Sequence, residues 1–92
     1  MTERTNAHVM DAPYRDIGKR LERLREAHDL TQKDWSAKHG FSYTQYNNWE
    51  KGVMRITIQN AERLCDLYGL TLDWIYRGRV DGLSEYARKT LS

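Results

Sequence analysis

The residues whose type most directly suggests chemistry are two adjacent asparagines, Asn47 and Asn48, preceded one turn earlier by Tyr43 and Thr44. On a helix, positions 43, 44, 47 and 48 share one face. A merely solvated helix face normally carries Lys and Glu, which are good helix formers, whereas asparagine is a poor one. Two asparagines in mid-helix therefore cost local stability without a packing return. What an asparagine amide offers is a donor and an acceptor together, the pair that matches N6 and N7 of adenine in the major groove of duplex DNA. Thr44 adds a methyl group that can meet a thymine methyl. Tyr43 and Thr44 lie at the N-terminal end of their segment, the end that helices of this kind point at base edges.

Those four side chains need an element that holds them, and the local punctuation predicts one. Gly40 makes a tight turn, Ser42 is a helix N-cap, and Gly52 ends the helix, so a recognition helix runs from about Ser42 to Trp49. Phe41, Tyr46 and Trp49 are its apolar side and should anchor it to a core. Before it, Thr31 caps a short helix from Gln32 to about His39, with Ser36 and Ala37 as small residues where the two helices approach. Two short helices joined by a glycine-containing turn form a helix-turn-helix.

The same reading extends outward. Pro13 sits where a first helix can begin, and Tyr14, Ile17, Leu21 and Leu24 form one apolar stripe that should fade near His28–Asp29. Thr57 caps a fourth helix with Ile58, Ala61, Leu64, Cys65 and Tyr68 on one face, ending at Gly69. Thr71 caps a fifth, Leu72 to about Arg77, before Gly78. Nothing alternates like a strand. The expected fold class is all-α: a five-helix bundle containing a helix-turn-helix, with Leu83, Tyr86, Ala87 and Leu91 fitting one face of a short sixth helix. The expected domains are a flexible tail at 1–13, a helix-turn-helix domain at 14–78 and a C-terminal segment at 79–92 that serves as dimerisation helix or tail.

Composition limits the alternatives. The chain has 92 residues and a net charge of +2, only mildly basic, so the placement of charge matters more than its sum. A single cysteine, Cys65, allows no internal disulfide and suits a reducing, cytoplasmic setting. No signal sequence and no membrane span is expected. His8, His28 and His39 are too scattered for a metal site, and no nucleophile constellation or glycine-rich phosphate loop is present, so no cofactor and no enzymatic activity are expected.

Several further marks carry a family resemblance. They are Ile17-Gly18 and Leu24-Arg25, Thr31-Gln32, Trp49-Glu50-Lys51-Gly52, and Tyr68-Gly69-Leu70-Thr71-Leu72-Asp73. In this order, over residues 14 to 78, the chain resembles the Cro/C1-type (XRE) helix-turn-helix regulators. The resemblance implies a DNA-binding domain, usually a repressor or activator, often dimeric on palindromic operators. It puts Tyr43, Thr44, Asn47 and Asn48 at or near base-reading positions. Gln32 falls beside a phosphate, and Ser42 and Arg55 fall where the flanking turns touch the backbone. Lys51 is expected to add a phosphate contact, and Glu50 to pair with Arg25 of the first helix. Trp35, Ser36, Tyr46 and Ile56 depart from the family's usual leucine, alanine, aliphatic and proline, which suggests a reshaped core.

The expected partners are double-stranded DNA and a second copy of the chain. Trp74, Tyr76 and Tyr86 are expected to be exposed on the fifth helix and the Leu83–Leu91 segment, and so to form the dimer surface. A different class of function, an antitoxin-type protein-interaction module docking a partner through the tails, would use the same fold.

Overall fold

The computed structural model describes residues 12–92. Within them the chain forms six helices: α1 (Arg15–Ala27), α2 (Gln32–His39), α3 (Tyr43–Lys51), α4 (Ile58–Tyr68), α5 (Leu72–Arg77) and α6 (Glu85–Leu91). The described part is all-helical, a helix-turn-helix bundle with a short C-terminal helix, as the pattern predicts. The expected N-terminal tail lies, up to residue 11, outside the described residues.

The boundaries follow from capping chemistry. Thr31, Ser42, Thr57 and Thr71 each accept a backbone N–H three residues on, from Asp34, Gln45, Asn60 and Trp74. Ser84 caps α6 in the same way, through the N–H of Ala87. The first helix lacks such a cap: Tyr14 precedes it with no side-chain bond. Instead the Tyr14 N–H donates to the Gly52 carbonyl at 2.9 Å, so the start of α1 is fixed by the end of α3.

Two glycines let these segments meet. Gly52 has φ +83°, and a Cβ there would lie 2.6 Å from the Arg15 Cα. Gly18 faces the C-terminal turn of α3, where a Cβ would come within 2.7 Å of the Trp49 carbonyl oxygen. α1 therefore crosses α3 backbone to backbone.

The core is rich in aromatic rings and falls into two groups. Tyr46 and Trp49, both buried, meet Phe41 with ring centroids 6.0 and 5.2 Å away. Trp35, fully buried, stacks on Tyr68 at 5.5 Å and touches His28 and His39. Trp35 and Tyr46 thus enlarge two adjacent clusters, joined by the His39–Phe41 stack at 5.6 Å. Each buried ring contributes on the order of 1.5–3 kcal/mol, against a helix-propensity cost of up to ~0.7 kcal/mol for each asparagine of α3. Packing therefore holds α3 helical whatever its outward face carries.

Three expectations fail on burial, and one holds. Ile58 is 56% exposed rather than buried with Ala61 and Leu64, because it stands in the first turn of α4, beyond the cover of the bundle. Tyr86, expected to be exposed, is 55% exposed, while Leu83, Ala87 and Leu91 of the same segment are buried. Ala37 is exposed, so the small residue at the α2–α3 contact is the buried Ser36 alone. Trp74, expected on the surface, is 2% exposed, because α1 and α6 close over it.

His39 is buried with both ring nitrogens engaged. Nδ1 donates to the Trp35 carbonyl at 2.8 Å, and Nε2 accepts the Tyr68 hydroxyl at 2.6 Å. Burial is the main cause that lowers its pKa, with Lys38, Arg63 and His28 adding repulsion. Protonation would remove the acceptor that Tyr68 uses. The unfolded chain, with an ordinary histidine, binds the proton first, so stability falls as pH drops below about 6.5 and loses nothing to this group above it. Melting temperatures measured across this range should show that slope, and His39→Gln should flatten it.

Candidate nucleic-acid interface

The buried side of α3 fixes the orientation of its other side. With Tyr46 and Trp49 turned inward, Tyr43 (52% exposed) and Thr44 point to solvent, and Asn47 and Asn48 are half-exposed beside them. The structure thus brings all four sequence-predicted base readers onto one outward face. Asn48 Nδ2 lies 3.8 Å from the Met54 sulfur, a weak contact that leaves its amide available.

The frame around this face is held by one carboxylate. Glu50 is the only acid of α3, and its side chain is 4% exposed. Its Oε2 accepts from Arg25 Nε at 2.8 Å, and its Oε1 from Arg25 Nη2 at 3.1 Å and Gln32 Nε2 at 2.8 Å. Arg25 Nη1 also donates to the Leu30 carbonyl. One ion pair thereby ties α1, the α1–α2 turn, the start of α2 and the end of α3. The Glu50 bonds raise the Arg25 pKa, and burial, reinforced by Glu50, raises that of Tyr46. The expected Arg25–Glu50 pairing is present. With Glu50 neutralised, α3 shows no free acid on its outward side.

The remaining predicted residues lie around the edge. Gln32 opens α2, one amide N–H committed to Glu50 and the other donor and the oxygen left over. Ser42 uses its oxygen as the α3 cap and keeps its O–H to donate. Lys51 is exposed at the far end of α3. Arg55 is exposed too, its guanidinium 5.7 Å from the Tyr14 ring centroid and 5.9 Å from that of Tyr76. These are cation–π distances, so the turn holds the arginine in place.

Arg15 and Lys19 lie off the apolar stripe of the first helix and are exposed. The structure sets both with Lys51 and Val53, and with Glu22 and the paired Glu50, around one shallow cleft at the end of α3. This juxtaposition depends on the glycine-mediated crossing of α1 over α3, and Gly18 and Gly52 were the only local signs of it.

Burial pushes the Cys65 thiol up to about 11, so it is protonated at neutral pH. Among the described residues no group of three or more His, Cys, Asp and Glu could hold a metal ion, and no helix is long and apolar enough to cross a membrane.

The helix-turn-helix family model matches residues 21–75, from mid-α1 into α5 and across the whole framed unit. The chain belongs to the Cro/C1-type helix-turn-helix family. This Cro/C1-type protein is accordingly a DNA-binding helix-turn-helix regulator, of a family that is typically non-enzymatic. No curated protein and no solved structure matches the chain significantly. In this Cro/C1-type chain α2 and α3 are the two helices of the motif, and α6 lies beyond the matched region.

Proposed function

We propose that the protein is a cytoplasmic, sequence-specific transcriptional repressor that binds a palindromic DNA operator as a homodimer. Tyr43, Thr44, Asn47 and Asn48 read base edges from α3 in the major groove. Gln32, Ser42, Lys51 and Arg55 contact phosphates, joined by Arg15 and Lys19. The observation that carries this reading is the outward face of α3: free amide and hydroxyl groups, no unpaired acid, and cations at its end. Amides supply base discrimination, and the surrounding cations supply affinity that depends on salt.

A dimer would set two copies of α3 about 34 Å apart, one turn of B-DNA. Of the residues expected at that contact, Trp74 is buried, Tyr76 is part-buried and Tyr86 is exposed. Exposed apolar side chains open to a second copy include Tyr86, Leu67 and Ile58, the last beside Tyr76 and Arg55.

The test is duplex binding as a function of salt. Log affinity should fall linearly with log salt concentration. Lys51→Ala should weaken every duplex alike and reduce the slope by about one. No retardation of any duplex, even at low salt, would leave the reading without support.

A further inference from the structure

We infer that the cleft between α1, α5 and α6 binds a small organic anion with an apolar body, of the alkyl carboxylate type. The cleft has a volume of about 350 Å³, in the range of small-molecule sites. Its floor is apolar: Trp74, Leu83 and Leu91 are 2%, 7% and 6% exposed. Its polar lining is dominated by three arginines, Arg20 and Arg23 from α1 and Arg88 from α6. They lie around the side of α1 away from Gly18 and Arg25, which face α3.

Each guanidinium is oriented, and among the described residues none forms an ion pair with a side-chain carboxylate; Ser92 also lines the cleft. Arg20 Nε donates to the Ile75 carbonyl at 2.9 Å, Arg23 Nη2 to the Leu91 carbonyl at 2.5 Å and Arg88 Nη2 to the Asp81 carbonyl at 3.3 Å. A guanidinium has five N–H donors, so most remain for a ligand. Among the described residues the carboxylates nearby are engaged elsewhere: Asp81 with Arg79 at 3.7 Å and Glu85 with Lys89 at 3.8 Å. Asp16, one turn before Arg20, acts on it only at longer range, and desolvation outweighs it, lowering the Arg20 pKa. Gly78 keeps the space open, since a Cβ there would lie 3.0 Å from Arg20 Nη1.

Arg20 is part-buried beside the apolar floor, and Arg23 and Arg88 stand exposed at the rim, so the cleft presents cations over apolar surface. A carboxylate offers each of them a charge-assisted, geometrically matched acceptor. A bare ion would leave the apolar floor wet, whereas an alkyl chain covers it. The inference stands on this cleft alone and does not depend on the reading of α3.

The experiment is a nuclear magnetic resonance titration of the full chain with octanoate, octylammonium and inorganic phosphate. Octanoate is expected to shift the Trp74 indole and the Leu83 and Leu91 methyl signals saturably. Octylammonium, with the same apolar body, should leave them unmoved, and phosphate should bind at least about tenfold more weakly. Arg88→Gln should weaken octanoate about tenfold, while Arg79→Gln, outside the cleft, should not. Because the ligand comparison uses the unaltered protein, misfolding of a variant cannot decide it. Equal binding of octanoate and octylammonium, or of octanoate and phosphate, would overturn the proposal. So would an Arg88→Gln protein that binds octanoate normally but duplex DNA poorly, since the arginines would then belong to the DNA interface.

Discussion

Glu50→Ala is expected to cost about 3–5 kcal/mol of folding stability, read as a lower midpoint in urea denaturation, because it strands a buried charge. Arg25, with a side chain 12% exposed, loses its bidentate partner and keeps only the Leu30 carbonyl and a marginal contact to Glu22 at 4.0 Å. Gln32 loses its acceptor in the same step. Small domains have about 5–15 kcal/mol in total, so the loss is a large share. Surface ion pairs seldom exceed ~1 kcal/mol, and the burial of Glu50 is what moves this one out of that class. The penalty comes from the orphaned charge rather than from lost attraction. Arg25→Met combined with Glu50→Met should therefore recover much of the stability that Glu50→Ala loses. A Glu50→Ala protein within about 1 kcal/mol of wild type would show that the carboxylate does not organise the motif.

Gly18→Ala is expected to destabilise the protein, reversing the sign of an ordinary helical substitution. In an open helix this change gains roughly 0.5–1 kcal/mol, because alanine loses less conformational freedom than glycine. Here the added Cβ would lie 2.7 Å from the Trp49 carbonyl oxygen and closer still to that of Glu50, both of them backbone atoms that cannot swing aside. Overpacking of this kind costs about 1–3 kcal/mol or more, so the clash wins. The damage also falls on the α1–α3 crossing that brings Arg15 and Lys19 beside Lys51, so duplex affinity should drop with stability. Gly40→Ala is the control: nothing lies within 4 Å of its Cβ, and only its φ of +74° opposes the change, at about 1–2 kcal/mol. A Gly18→Ala protein more stable than wild type would contradict the close crossing.

The features legible in the sequence are those set by neighbours in the chain. A hydroxyl residue three positions before a free N–H caps a helix wherever the helix lies, and Thr31, Ser42, Thr57 and Thr71 were readable for that reason. The two-sided character of α3 was readable because Tyr46 and Trp49 sit on one side of a helical turn and Asn47 and Asn48 on the other. What escaped depends on segments far apart in the chain. Trp74 reads as exposed until α1 and α6 are known to cover it, and Ile58 reads as core until α4 is seen to begin outside the bundle. The bond from Gln32 to Glu50 spans 18 residues and follows from no local rule. Arg15 and Lys19 gained their place only once α1 was seen to cross α3 at Gly18.

The central claim is that the outward face of α3 reads sequence, and the most direct measurement is selection of bound duplexes from a random pool with wild type, Asn47→Ala and Asn48→Ala. Neither asparagine lies in the core, so all three proteins should fold alike by circular dichroism. Wild type should enrich one defined motif. Each variant should relax the preference within that motif and bind the wild-type sequence about 1–3 kcal/mol more weakly. If both variants instead select the wild-type motif with wild-type affinity, this face of α3 does not read the bases.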